Sequence, residues 1–247
     1  MKISYRHLRL LCQVGLNFFK FRSLRDLHGH KVFVVLSSGH NGSTTVYYNL
    51  LLRFFRSKVF HVHVTSEYWW DSGIESRGNR NDVLRQKYLR YKARNPHKHF
   101  VYISMVRDPK ERMISSFFHN GKDRNIVWLT WKDIVAASSL EKNIGWYNVE
   151  FQECFDVQVK DIEFNREKGY GIYNEDKLDL LIQRLDMLGR DDALMNYFGP
   201  DFGSLISFNE RLTTNSGKDY RMVKKRLMES NIYLEGYSEF RKLFWPE

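Results

Sequence analysis

The feature that most constrains the fold is an apolar run followed by a glycine-containing loop and a helical pattern. Residues 31–37 contain a continuous apolar run, Val-Phe-Val-Val-Leu, that is rich in β-branched side chains, which is typical of a strand buried on both faces. Small polar residues fill positions 37–45, and apolar residues recur at helical spacing over 46–55. Such a loop points backbone amides and the positive end of a helix dipole at one place. The segment predicts an anion site suited to phosphate; the alternative is that Ser43 or Thr44 only caps the helix.

The alternation of strands and helices continues after this loop. A second strand is predicted over 58–64, a helix over 81–92 and a third buried strand over 99–106. A further helix begins near Pro109, because the N–H group that proline lacks has no partner within the first turn of a helix. This order predicts one α/β domain with a central parallel sheet flanked by helices.

The second half of the chain is less regular. Residues 178–188 fit both a helix and a central strand, because a short apolar run satisfies either pattern. Residues 219–229 predict a basic helix, and the aromatic tail over 233–245 is expected to dock on the body of the protein. Residues 1–30 are expected to form a helical extension.

The composition indicates the charge of the binding partner and the redox state of the compartment. The 39 Lys and Arg against 29 Asp and Glu leave a net charge of +10, which favours an anionic partner. Two cysteines, Cys12 and Cys154, are too few for a disulfide framework, so a reducing compartment such as the cytoplasm is expected. Residues 8–19 predict an amphipathic helix, too short to span a membrane, whose basic flanks suit weak contact with the inner membrane face.

A second candidate anion site lies in residues 106–117. Arg107 follows the third strand, at the sheet edge where α/β proteins bind ligands. Arg112 and Ser115 are three residues apart and share a face of the next helix. Arginine at a strand end with serine on the following helix can clamp a phosphate. The alternative is that Arg107 and Asp108 form a structural pair at the turn.

At these two segments the chain resembles the sulfotransferases that use 3′-phosphoadenosine 5′-phosphosulfate (PAPS). Residues 38–45 match the 5′-phosphosulfate loop of that family, and residues 106–117 match its R-D-P-x-x-R-x-x-S-x-[FY] segment for the 3′-phosphate. Residues 39–47 also resemble the G-K-x-G-S-S-[ST]-[VI]-Y loop of bacterial capsular polysaccharide synthesis proteins, and the likeness extends from residue 31 to the end. The resemblance implies these cofactor-binding residues: Ser38, Gly39, His40, Asn41, Gly42, Ser43, Thr44, Thr45, Arg107, Ser115 and Lys218.

The catalytic residues follow partly from the same resemblance. The family carries a lysine at the position of His40, where it holds the bridging oxygen as the sulfuryl group leaves. Here His40 would do so, as an imidazolium or as a neutral donor, with Asn41, Lys110 or Lys122 as substitutes.

Sulfuryl transfer to a hydroxyl also needs a base, and histidine is the usual one. The His61-Val-His63 segment resembles the one that carries the base in uronyl 2-O-sulfotransferases, which implies His63 as the base and His61 as a helper. A core position or a metal pair is the alternative for these histidines. A core position is favoured for His61, and Glu67 is the reserve base.

The resemblance implies transfer of a sulfuryl group from PAPS to a hydroxyl of a capsular, exopolysaccharide or other cell-surface carbohydrate. The product nucleotide is 3′-phosphoadenosine 5′-phosphate (PAP), and neither a metal nor a nucleic acid is expected. Alternatives are a nucleotide-dependent kinase or NTPase, a basic nucleic-acid-binding protein, and a sulfotransferase-like protein that only binds nucleotide. A kinase is disfavoured because no lysine follows Gly42, and nucleic-acid binding because its known motifs are absent from the sequence.

Overall fold

The computed structural model is an α/β structure built on one mixed sheet. It describes residues 27–28, 30–39, 41–54, 57–68, 80–120, 130–137, 140–189, 193–206, 215–230 and 232–246. The strands are β1 Val32–Leu36, β2 Val59–Val62, β3 Phe100–Val106, β4 Phe164–Asn165, β5 Tyr170–Glu175 and β6 Leu178–Arg184. The α-helices are α1 Ser43–Arg53, α2 Arg80–Arg94, α3 Pro109–Asn120, α4 Trp131–Ala137, α5 Leu140–Phe155, α6 Ala193–Phe198, α7 Asn215–Glu229 and α8 Tyr237–Phe244. Short 3₁₀ turns cover Val159–Asp161, Leu185–Met187 and Pro200–Phe202.

The sheet has the strand order β2-β1-β3-β6-β5-β4. Strands β2, β1, β3 and β6 run parallel, whereas β4 and β5 are antiparallel to their neighbours. The chain leaves β1 toward β2 on one side and returns to β3 on the other side. The carboxyl ends of β1 and β3 therefore flank a topological switch point, where open α/β sheets bind their ligands.

The two faces of the sheet are covered by different helices because side chains alternate along each strand. In β1, Val32, Val34 and Leu36 pack with aromatic residues of α2, α5 and α8. Phe33 and Val35 point the other way and pack with apolar residues of α1 and α6. All five β1 side chains are buried. This explains why the strand reads as a continuous apolar run.

A third apolar cluster joins α3, α4 and α7. Met113 and Ile114 of α3 pack there with Trp131, Val223 and Leu227. The indole Nε1 of Trp131 donates to the carbonyl of Leu227 at 2.9 Å, which fixes α4 on α7. The α3 helix, whose start follows the switch point, is held by this cluster. None of the described helices is long and apolar enough to cross a membrane.

The α/β architecture predicted from the sequence is confirmed, with ends shifted by a few residues. The ambiguous segment 178–188 is strand β6 followed by a 3₁₀ turn, and α7 starts four residues earlier than the predicted helix at 219. The tail packs on the sheet through Phe240, Phe244 and Trp245, as expected. The sheet differs from the prediction in being mixed, because β4, β5 and β6 follow one another by short reversals. The helix predicted over 8–19 lies outside the described residues.

Candidate functional site

The candidate site lies at the switch point, on the loop of residues 37–42 between β1 and α1. Gly42 in this loop has φ +75°, a left-handed conformation that glycine adopts without steric cost. A Cβ there would lie 2.5 Å from Cδ1 of Leu185, so the side chain of Leu185 would have to move to accept an alanine. By contrast, a Cβ on Gly39 would meet no atom within 4 Å. Gly42 thus provides the left-handed backbone conformation of the loop, whereas position 39 has space for a side chain.

A fully buried asparagine fixes the loop to the neighbouring strand. The Nδ2 group of Asn41 lies 2.7 Å from Ser38 Oγ, 3.0 Å from the carbonyl of Met105 and 2.7 Å from the hydroxyl of Tyr147. Tyr147 also donates to the Met105 carbonyl at 2.8 Å, and burial raises the pKa of its hydroxyl. Asn41 Oδ1 is buried and accepts no hydrogen bond from the described residues. The loop is thus built from β1, the end of β3 and α5 together.

The α1 helix begins at the loop without a side-chain cap. Gly42 is the N-cap residue, and among the described residues no side chain caps the first-turn amides. Ser43 is already within the helix, and its Oγ lies 2.9 Å from Nε2 of His61. The alternative that Ser43 or Thr44 serves as the N-cap is therefore wrong. The start of α1 offers backbone N–H groups and a positive dipole end, which is the donor set that a phosphate requires.

The two histidines of β2 have different surroundings. His61 faces the α1 layer, where its ring stacks on Tyr47 at 5.3 Å between centroids. His63 follows the strand, and its Nδ1 lies 2.7 Å from the carbonyl of Ser37. Because a carbonyl only accepts, the proton must be on Nδ1, and Nε2 of the neutral ring is left with a lone pair. The half-buried His63 can therefore accept a proton at Nε2.

A buried carboxylate holds the loop that follows His63. Glu150 of α5 is fully buried, and its Oε2 accepts from the amide and the hydroxyl of Thr65, both at 2.8 Å. Its Oε1 accepts from the amide of Ser66 at 3.2 Å and from the hydroxyl of Ser66. The adjacent Trp146 donates from Nε1 to the carbonyl of His63 at 2.9 Å. These contacts from α5 fix the backbone on both sides of residue 64.

Arg112 of α3 reaches back to the 37–42 loop. Its Nε donates to the carbonyl of Gly39 at 2.9 Å. Burial lowers the pKa of this guanidinium to about 10, an effect that Tyr147 opposes and Arg107 reinforces. The side chain still carries its charge at neutral pH. The half-buried Arg112 thus brings a positive charge to the loop that precedes α1.

Arg107 lies at the carboxyl end of β3 in a ring of polar side chains. Its Nη2 donates to the hydroxyl of Tyr220 at 3.0 Å, and its Nε lies 3.4 Å from Glu111. Glu111 in turn forms an ion pair of 2.7 Å with Lys224 of α7. Asp108 instead caps α3 through its bond to the Lys110 amide at 2.9 Å. The half-buried Arg107 is therefore oriented by α3 and α7, beside the 37–42 loop.

Several predicted site residues come together and others do not. Ser38, Gly39, Asn41 and Gly42 lie on the loop, Ser43 is the first residue of α1, and His63 and Arg107 follow the adjoining strand ends. Thr44 and Thr45 lie in the first turn of α1 and are half-buried. Ser115 is half-buried on α3, one turn beyond Arg112, and its hydroxyl forms no hydrogen bond with the described residues.

The remaining predicted residues have weaker links to the loop. Glu67 is exposed, and its backbone amide donates to the Glu153 carboxylate at 3.2 Å. Lys110 donates to the carbonyl of Ile232 at 3.3 Å and is occupied there, away from the loop. Lys218 lies on α7. His40 and Lys122 lie outside the described residues.

A metal role for the histidine pair lacks support in the described part of the chain. The rings of His61 and His63 are 4.8 Å apart between centroids. Within the described residues, no group of three or more His, Cys, Asp and Glu side chains could hold a metal ion. His61 instead bonds to Ser43 and stacks on Tyr47, which agrees with the structural role favoured for it.

The sequence interpretation missed three contributions to the site. Tyr147 belongs to a segment singled out by resemblance, but its bond to Asn41 spans 106 positions. Glu150 carries no motif, and its only sequence signal is an acidic residue within an otherwise apolar helix face. Arg112 was noted only as sharing a helix face with Ser115, and the structure shows it bonded to Gly39.

Comparison of the chain with known proteins gives no further assignment. No protein-family model, no curated protein and no solved structure matches it. The site itself offers a helix start with a glycine N-cap, Arg107 at the end of β3, Arg112 on α3, and His63, whose neutral ring carries a lone pair on Nε2.

Proposed function

We propose that the chain is a PAPS-dependent sulfotransferase that acts on a hydroxyl of a carbohydrate. The observation that carries the proposal is the meeting of two anion-binding elements at one switch point. The uncapped start of α1 lies on one side, and Arg107 at the end of β3 lies on the other. A nucleotide with phosphate groups on both its 5′ and 3′ sides needs two such elements.

The residues at this point fit the donor nucleotide. The amides of the first turn of α1, with Ser43 and Thr44, would hold the 5′-phosphosulfate. Arg107 would hold the 3′-phosphate by charge-assisted hydrogen bonds, in exchange for its contacts with Tyr220 and Glu111. When bound, the donor supplies an activated sulfuryl group with a phosphate as its leaving group. The chain itself supplies position, positive charge and a base.

His63 is the base in this proposal. Its Nδ1–H is committed to the Ser37 carbonyl, so the proton of an acceptor hydroxyl would pass to Nε2. The Nδ1–H can keep its bond to the Ser37 carbonyl after Nε2 takes the proton, because both nitrogens of an imidazolium are donors. Glu150 and Trp146 hold the backbone that carries the ring. His61, bonded to Ser43, orients the start of α1 instead of taking the proton.

Donor binding is tested by calorimetric titration with PAP, with ADP and ATP as controls at the same salt concentration. We expect PAP to bind at least about tenfold more tightly than ADP, because only PAP carries the 3′-phosphate. Arg107→Ala should abolish this preference. Arg221→Ala, which changes an exposed arginine of α7, is the matched control and should retain it. Equal binding of all three nucleotides would overturn the proposal in favour of an unspecific anion site.

The chemical step is tested by transfer of labelled sulfate from PAPS to a panel of polysaccharides. His63→Gln should lower kcat about 100-fold or more while leaving PAP affinity unchanged. His30→Gln, at an exposed histidine, serves as the control. Tight PAP binding without transfer to any acceptor would instead support the nucleotide-binding relative that has lost catalysis.

A further inference from the structure

The exposed face of α2 carries a row of cations. Lys87, Arg90 and Arg94 are all exposed, and their spacing of three and four residues places them on one side of the helix. At 1.5 Å per residue, the row extends about 10 Å along the helix axis. We refer to these three residues as the α2 stripe.

Several other described cations are held in ion pairs. Lys224 pairs with Glu111 at 2.7 Å, Arg184 with Asp186 at 2.6 Å and Lys31 with Asp179 at 3.3 Å. The three stripe side chains form no ion pair or hydrogen bond with any residue that the structure describes. Arg90 and Arg94 are also four residues apart, a like-charge spacing that destabilises a helix by a few tenths of a kcal/mol. An anionic partner would compensate for this repulsion.

The position of α2 links the stripe to the candidate site. Arg85, in the second turn of the helix, donates from Nη2 to the carbonyl of Thr65 at 3.0 Å. Thr65 lies two residues after His63 and is held by Glu150. The first part of α2 is therefore fixed to the loop that carries the proposed base. The stripe begins two residues further and follows the helix away from the site.

We infer that the α2 stripe binds a linear anionic polysaccharide, the chain whose hydroxyl is presented to His63; this rests on the proposed function. The described exposed side chains of α2 include no aromatic residue on which a base could stack, whereas single-stranded nucleic acids are bound by such stacking. The apolar face of α2 is buried on the sheet through Tyr88, so it is not available to enter a membrane. An anionic polysaccharide therefore fits the stripe better than a nucleic acid or a membrane surface does.

The inference is tested with the full chain and four probes in the absence of donor. The probes are chondroitin sulfate, neutral dextran, poly(U) RNA and vesicles that contain phosphatidylglycerol. The stripe variant is Lys87→Gln/Arg90→Gln/Arg94→Gln. The control variant, Lys132→Gln/Lys160→Gln/Lys242→Gln, removes the same charge from exposed positions on three other elements.

We expect the native chain to bind chondroitin sulfate and not dextran at about 50 mM salt. The stripe variant should lose at least about tenfold in affinity, and the slope of log affinity against log salt should fall by about 2 to 3 units, one for each cation removed. The control variant should bind as the native chain does. Both variants should retain PAP affinity, because the stripe lies outside the donor site.

Three results would overturn the inference. Equal loss in the stripe and control variants would show that net charge alone attracts the polymer. Tighter binding of poly(U) than of chondroitin sulfate would assign the stripe to nucleic acid, and tighter binding of vesicles would assign it to a membrane surface. Failure of the proposed function can be distinguished from failure of this inference. It would appear in the nucleotide titration, as no preference for PAP over ADP and ATP, while polysaccharide binding is intact.

Discussion

Gly42 is the residue on which the shape of the anion loop depends most directly. Its φ of +75° costs an L-residue about 1 to 2 kcal/mol, and a Cβ would meet Cδ1 of Leu185 at 2.5 Å. Because that methyl is the free end of a side chain and can move, most of the cost comes from the backbone. We expect Gly42→Ala to lower the free energy of unfolding in urea by about 1 to 2 kcal/mol.

Gly39→Ala is the matched control for this substitution. Position 39 lies in the same loop, and a Cβ there meets nothing within 4 Å. Its unfolding free energy should change by less than about 0.5 kcal/mol. If the two alanine variants were equally stable, the left-handed conformation at position 42 would not be a requirement of the loop.

Cys154 is predicted to be an unreactive thiol. Burial, together with the charge of Glu150, raises its pKa to about 12. At pH 8 about one thiol in ten thousand is then ionised, against about one in four for an ordinary cysteine, and only the thiolate is the nucleophile. In a Cys12→Ser variant, Ellman's reagent should react with Cys154 about 100-fold or more slowly in the folded chain than in urea. Similar rates in both states would contradict the burial of this thiol.

At the level of elements, the first half of the fold could be predicted and much of the second half could not. Strands β1 and β3 are buried on both faces and lie beside a glycine loop and Pro109, so short-range patterns identify them. Strand β6 is also largely buried, but no glycine or proline marks its limits, and its pattern fits a helix as well. Strands β4 and β5 are short and contain polar residues such as Asn165 and Glu175, so they carry no periodic signal.

The candidate site could be predicted only where its residues lie in continuous motifs. The 37–42 loop and Arg107 follow strands and were found from the sequence. The bonds that fix them come from far along the chain, as with Tyr147 on Asn41 and Glu150 on Thr65. A tyrosine or glutamate on a helix gives no local sign of such a partner, because the sheet topology alone brings them together.

The loop after β2 depends on α5 through Glu150, and this dependence can be measured. Glu150→Gln replaces one carboxylate oxygen by an NH₂ group facing the amide and hydroxyl donors of Thr65 and Ser66. We expect a loss of about 2 to 3 kcal/mol in unfolding free energy, because buried donors lose their acceptor. Glu153→Gln, on the exposed side of the same helix, is the control and should cost less than about 0.5 kcal/mol. An equally mild Glu150→Gln would mean that the loop is held without the carboxylate.

At the scale of the whole molecule, the amino ends and the carboxyl ends of the central strands carry different groups. At the edge opposite the candidate site, Asp179 of β6 binds Lys31 before β1 at 3.3 Å and His99 before β3 at 2.6 Å. Tyr197 of α6 also donates to this carboxylate, and burial together with the carboxylate raises the pKa of the tyrosine. The amino ends of the central strands are thus closed by paired polar groups. The carboxyl ends carry the open loop and the arginines.

The C-terminal helix completes the core on which this arrangement rests. Phe244 of α8 is 1 % exposed, and its ring lies 6.1 Å from Tyr147 and 5.1 Å from Phe164 between centroids. Phe244→Ala should therefore cost about 3 to 5 kcal/mol of unfolding free energy, because it leaves a cavity between α8, α5 and the sheet. Lys242→Ala, on the exposed side of the same helix, should cost less than about 0.5 kcal/mol.

The same pair of variants tests whether α8 and the sheet unfold as one unit. Trp245 follows α8 and packs on Phe240, and its ring lies 5.2 Å from the Arg184 guanidinium at the end of β6. If the tail is part of the core, tryptophan fluorescence and far-ultraviolet circular dichroism should give one coincident urea transition, shifted to lower urea by Phe244→Ala. Separate transitions, with the dichroism change unaffected by Phe244→Ala, would show that α8 docks on a core that is stable without it. The hydroxyl of Tyr147 would then be fixed at Asn41 by α5 alone.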